Sequence, residues 1–272
     1  KLLSAHQDYR VPKNEIPEGC AYITPDMLPL VELEQEELHS IMDRAPGGAT
    51  NIQDIYPLSP LQEGIYFHHL ASDSSSGDPY VMANLLSFSS KEKRSEFIKA
   101  LDFVIQRHDV LRTCVLSSGL SQSVQVVLRE VSLAVDELSI DNDRDTLPQI
   151  EKLIMPDKLY MDLTKAPLLQ IKIADDVTNG AHYLVLQHHH LMMDHIGTAK
   201  IREEIALYLS GEQKLFPTPA LYRDFIGHTL NKVKSGEGEN YFSNLYNGVE
   251  IPSYPFGLTD SIIDGSHEIF TE

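Results

Sequence analysis

Residues 181–195, AHYLVLQHHHLMMDH, constrain the fold more than any other stretch of the chain. From Ala181 to Gln187 the run is apolar at nearly every position, which predicts a strand buried on both faces. Such a strand needs cover on each side. It also carries His188, His189 and His190 to its carboxyl end, where open α/β sheets place their ligand crevice. The surrounding sequence supplies the cover. SKEKRSEFIKALDFVIQRHD sets Phe97, Ala100, Leu101, Val104 and Ile105 at helical spacing. VLRTCVL, SQSVQVVLR and PLLQIKIAD predict strands. GTAKIREEIALYLSG predicts a helix with Ile201, Ile205, Tyr208 and Leu209 on one face and an end at Gly211. Further helices are expected around 219–234 and 239–248. Strands and helices interleave, so the predicted class is α/β.

The first fifty residues have another texture. Pro12, Pro17, Pro25, Pro29 and Pro46, with PGGAT at 46–50, predict an irregular arm outside the core, with one short helix around LEQEELHSIMDR. At 60 the signal turns helical. Ser59 before Pro60, with Glu63 three positions on, marks a helix start, and a helix over 60–70 would align Leu61, Ile65 and His68 or His69.

With 272 residues, 42% of them hydrophobic, the chain can bury one large core or two small ones. A formal charge of −18 argues against nucleic acid or an anionic membrane as main partner, because each contact would begin with like-charge repulsion. Cys20 and Cys114 lie far apart and offer neither a disulfide framework nor a soft metal site, and a reducing cytoplasm fits them best. No stretch has the apolar length of a spanning helix, and KLLSAHQDYR is too polar for a signal peptide. With no initiator Met, the chain is expected to be a piece of a longer protein.

Three chemistries are open to the histidine row. Metal binding is disfavoured, since neighbours on a strand point to opposite faces and neither HExxH nor a cysteine partner is present. A turn of ordinary core or surface histidines, with Asp194 capping the next helix, is the plain alternative. The third is proton transfer: an imidazole at a strand's carboxyl end can take a proton near neutral pH, and Asp194 can fix the turn by pairing with a cation or by capping.

Four segments in order carry a resemblance. QHHHLMMDH resembles the HHxxxDG signature of nonribosomal peptide synthetase condensation domains, YPLSPLQEGIYFHHL their opening helix motif, RHDVLRT (107–113) their RHExLRT motif, and YRDF (222–225) their YxDF motif. The implied fold is a chloramphenicol acetyltransferase-like lobe, a mixed β-sheet flanked by helices. The glycine that closes the signature is His195 here. That ending, with HHLASDSSSGD at 68–78, resembles the dual epimerization/condensation subgroup, whose HHLxxxxGD motif is two residues shorter. On this resemblance residues 1–50 are a linker following an upstream carrier protein, 51–250 an N-terminal lobe, and 251–272 the start of the connection to an absent C-terminal lobe.

The resemblance also implies roles. His190, second histidine of the signature, would position or deprotonate an acceptor amine attacking a donor thioester. His189 would assist, and Asp194 would shape the turn through an ion pair with Arg112. His68, His69, Gly77, Asp78 and His195 are secondary candidates for moving the donor's α-proton. Arg107 and His108 are expected at a solvated helix end, and Gly77–Asp78 in a flexible loop unless a substrate orders it. No metal or directly bound cofactor is implied, since substrates arrive on the 4'-phosphopantetheine of upstream and downstream peptidyl carrier proteins. An adenylation domain would belong to the same synthetase. Two alternatives stand beside this reading: a coenzyme A-dependent acyltransferase of the same fold, and an isolated lobe that docks carriers without turnover.

Overall fold

The computed structural model describes residues 9–72, 77–141 and 143–249, so the expectation for 251–272 lies outside the described residues. The chain divides after His228. The first unit holds two sheets. One is three-stranded in the order β1-β4-β3, with β1 at Ile52–Pro57, β3 at Thr113–Leu116 and β4 at Val124–Leu128, antiparallel throughout. The other runs β2-β7-β6-β5, from β2 at Val81–Phe88, β5 at Val135–Glu137, β6 at Leu169–Asp176 and β7 at Ala181–His189. Its β5–β6 pair is parallel and the rest antiparallel, so the sheet is mixed.

β7 is the apolar run, and both its edges are paired: Val81 and Met82 of β2 sit opposite His189 and His188, and Leu169 of β6 also faces His188. Its faces are covered as the pattern requires. Leu184 packs in one cluster with Leu101 and Ile105 of α3 (Lys91–Arg107) and Ile205 of α5 (His195–Leu209). Val185, pointing the other way, packs against Ile150 of α4 (Thr146–Leu153). A two-sided antiparallel strand therefore loses the polar alternation of an exposed sheet.

The arm departs from expectation. It is irregular apart from the helix α1 at Gln35–Arg44 and short 3-10 turns, yet Ile16, Ile23, Leu28, Val31, Leu33, Leu38 and Ile41 are buried in one cluster with Ile52, Cys114, Val124 and Val126. Prolines break regular hydrogen bonding without preventing burial of the side chains between them. The arm is the second face of the three-stranded sheet, and it also crosses α6 (Tyr222–Ser235), where Pro12 O accepts from Arg223. The crossing is close: a Cβ on Gly227 would meet the Val11 side chain at 2.4 Å.

Beyond His228 the second unit carries the end of α6 and α7 at Glu237–Leu245. Among the described residues no helix is long and apolar enough to cross a membrane.

Candidate active site

Ser59 caps α2 (Pro60–Ala71) by accepting from the Gln62 amide, and Gln62, rather than Glu63, closes the capping box by accepting from the Ser59 amide. This turns Gln62, Tyr66 and His69 inward; of the expected line, Ile65 packs partly buried against the core and Leu61 is exposed. The Gln62 side-chain amide then donates to Gln125 of β4 and to Leu191 O, tying helix, first sheet and histidine loop together.

Successive histidines meet different surroundings. His188 is buried, its Nδ1 has no partner among the described residues, and its pKa falls to about 4 because burial penalises the cation, with His190 and His189 adding repulsion. His189 is fully buried, and both its ring nitrogens are engaged. Nδ1 accepts from the Leu191 amide at 3.0 Å, which leaves the proton on Nε2, 3.1 Å from Asp78 Oδ2. His190, one residue past the strand, is half-buried and donates from Nδ1 to Met193 O at 3.1 Å. Its Nε2 is then the basic nitrogen, without a partner among the described residues.

His190 lines a cavity of about 420 Å³ whose wall is mostly apolar, including Ile65, Val110, Met192 and Phe225. His108, Asp194, Lys200 and Tyr222 supply polar groups. Catalytic sites combine such apolar enclosure with a few convergent polar groups.

Asp78 is the other centre. Its side chain is wholly buried, Oδ2 accepts from His69 Nδ1 at 2.6 Å as well as from His189, and Oδ1 accepts from the Tyr80 amide at 2.9 Å. Burial pushes the carboxyl up, but donation from His189, His69 and Tyr80 outweighs it and holds the group well below the ordinary carboxylate range. Gly77 makes the approach possible: at φ +76° its Cβ would lie 2.2 Å from Pro156 O. The pair is therefore ordered by the protein itself, not by a substrate. His69, Asp78 and His189 have the residue types of a metal site, with ligand atoms all within 4.8 Å of one another. The donor set does not fit one, because His189 Nε2 must carry a proton while Nδ1 faces an N–H. The 2.6 Å contact is also shorter than the roughly 3.4 Å between ligands around a tetrahedral zinc.

Arg112 and Asp194 do not pair. A 3-10 turn over Asp109–Arg112 carries the guanidinium to Gln53 of β1 and to Leu128 O and Arg129 O at the end of β4, while Asp194 caps α5 by accepting from the Gly197 amide at 2.8 Å. Nor are Arg107 and His108 a solvated terminus: both bond Glu204 of α5, and Arg107 lies over the Phe216 ring at 4.5 Å. His68 and His195 are exposed, the first beside Tyr80 and the second in the opening turn of α5.

The condensation domain family matches residues 52–253. Malpibaldin synthetase from Mortierella alpina is 37% identical over 261 residues, 95% of this chain and 5% of that protein. The chain belongs to the condensation domain family. Malpinin synthetase from the same organism is 37% identical over 97% of the chain, and tyrocidine synthase 3 from Brevibacillus parabrevis 28% over 91%. This condensation domain chain thus spans only about 3–5% of those synthetases. Among solved structures, the condensation domain of the Monacolin K polyketide synthase MokA matches 78% of the chain and 46% of its own at TM-score 0.56 and 18% identity. The starter condensation domain of rhizomide synthetase RzmA matches 74% and 50% at TM-score 0.55 and 18% identity. At such identity these likenesses establish the fold, which is the chloramphenicol acetyltransferase-like one.

Within the condensation domain, sequence reasoning missed Gln62, Gln125, Tyr80 and Lys200. Only Gln62 left a signal, as the third residue after Ser59 in a capping box. Tyr80 acts through its backbone and Gln125 through its place on a buried strand, which side-chain patterns do not reveal.

Proposed function

We propose that this condensation domain, in its parent synthetase, joins a carrier-tethered aminoacyl or peptidyl thioester to an acceptor amine, with His190 as the acid/base group. The amine nitrogen bonds to the thioester carbonyl carbon and the C–S bond breaks; His190 Nε2 takes one amine proton and passes it to the departing sulfur, so the free thiol leaves and the imidazole returns to its neutral form. The observation that carries this reading is the fixed tautomer: Nδ1–H on Met193 O leaves Nε2 as acceptor on a residue that lines the cavity. A placed imidazole contributes on the order of 10² to 10⁴ in rate. No covalent nucleophile is needed when both substrates arrive tethered. Cys114 is unsuited to that role, since burial pushes its thiol up to about 12. The partners are an upstream donor and a downstream acceptor carrier protein bearing 4'-phosphopantetheine, the C-terminal lobe and an adenylation domain.

The same site is assigned L-to-D epimerization of the donor before condensation. Support comes from the resemblance of HHLASDSSSGD (68–78) to the motif of the dual subgroup; its His69–Asp78 pair bonds to His189 and acts from behind the site. The test is deuterium uptake at the donor α-carbon in the parent synthetase, upstream carrier loaded with an L-aminoacyl group and acceptor withheld. Exchange lost in His190→Ala supports the dual activity; no exchange, with normal amide formation once acceptor is added, limits the domain to condensation.

A second reading applies to the isolated lobe. Leu61 and Phe225 line the cavity yet are 75% and 48% exposed, so water reaches the site. Residues 1–272 alone are expected to dock carriers and to transfer negligibly; efficient turnover would refute this.

A further inference from the structure

We propose that Asp78 is a positioning residue for His190, acting through both peptide groups that flank it. Two chains of hydrogen bonds start from the one carboxylate. From Oδ2 the path runs through His189: the ring donates by Nε2 and accepts the Leu191 amide on Nδ1. From Oδ1 it runs through Tyr80: the amide donates to the carboxylate, and Tyr80 O accepts the His190 amide at 2.8 Å. The amides of residues 190 and 191 are thus both referred to Asp78. His190 leaves the strand between these two points, and its ring is then closed by Met193 O.

Asp78 is itself held from two sides. Its amide donates to Leu159 O at 2.7 Å, and Gly77 lies against Pro156 and Asp157 too closely for any side chain. His69, stacked between Tyr66 and Tyr160, supplies a further donor to Oδ2. The carboxylate has no exposed atom and no oxygen left for a substrate, so it cannot touch reacting groups. Its use is to be an acceptor in every direction at once.

That requirement is specific to a carboxylate. An amide of the same shape would set a donor against a donor in either orientation, facing the Tyr80 N–H one way and the two imidazole N–H groups the other. His189 cannot relieve the conflict by moving its proton, because Leu191 N–H already occupies Nδ1. Outer hydrogen bonds that fix an imidazole's tautomer and aim are worth about tenfold to a hundredfold in function.

The proposal rests on His190 being the acid/base group, and the experiment separates the two. In the parent synthetase with both carriers loaded, amide transfer is followed for Asp78→Asn, His190→Ala and the double variant, with melting temperatures recorded. The expected result is a fall of about tenfold to a hundredfold in transfer rate for Asp78→Asn. KM for the acceptor carrier stays within about twofold, and no further fall follows when Asp78→Asn is added to His190→Ala. His69→Phe keeps the ring stack and removes one donor; it decides the matter if Asp78→Asn does not fold, and a severalfold slower transfer at unchanged KM is expected. Wild-type rates in the folded variant, a KM that rises in step with the lost rate, or the same fold-loss on top of His190→Ala would overturn the proposal. Undiminished transfer in His190→Ala alone would instead remove the reading of His190 beneath it.

Discussion

His189 ends β7, His190 is the next residue of the chain, and the two live in opposite worlds. His189 is wholly buried, with an amide on one nitrogen and a carboxylate on the other. His190 is half-buried, with one nitrogen on a carbonyl and the other, beside a cavity, without a partner among the described residues. The strand ends between them, and on the proposed reading this divides the labour: the last imidazole of β7 holds the backbone, and the first beyond it is the one assigned to chemistry.

Breaking the buried side should cost most in stability. Gly77→Ala drives a Cβ into Pro156 O at a positive φ, and a loss of roughly 3–4 kcal/mol is expected in denaturant unfolding. His189→Ala leaves Asp78 and the Leu191 amide short of a partner and opens a cavity, for about 3 kcal/mol. Little change in either would show that the buried side is not a lock.

His188 sharpens the comparison, since its ring lies 6.2 Å from that of His190 but is buried. Its folded pKa, about 4, lies below the unfolded value of 6.5, so the unfolded chain binds the proton more readily. That contribution is complete above pH 6.5 and is lost as pH falls toward 4. Over that window the native domain should lose up to about 3 kcal/mol more than His188→Leu does. Parallel pH–stability curves would contradict the assignment. On the open side effects are smallest: Asp194→Ala should cost about 1 kcal/mol as a lost cap, and Asp194→Asn almost nothing. A large loss in Asp194→Asn would mean its charge has a partner that the cap does not explain.

What could be read in advance follows the same division. β7, α3 and α5 were legible because their burial is periodic or continuous. β1 was not, since Asp54 and Pro57 interrupt its apolar pattern, and Asp54 is buried only because Arg223 of α6 reaches it. β2 was hidden by Met82, Asn84 and Ser87, and α4 by its short length. The arm was misjudged because proline reports on backbone regularity and says nothing of exposure. Arg112 was expected to pair with Asp194, while in the fold its Nη1 donates to Gln53 Oε1, Leu128 O and Arg129 O. The row of histidines announced a site, but which of them was free was fixed by two backbone groups, Leu191 N–H and Met193 O, that no side-chain motif records.

The most direct test of this division compares His190→Ala with His189→Ala in the parent synthetase, measuring single-turnover amide formation between loaded carriers alongside the melting temperature. The account predicts that His190→Ala loses at least about a hundredfold in rate while melting within a few degrees of the native protein, and that His189→Ala lowers the melting temperature first. Full transfer by a folded His190→Ala variant would contradict it.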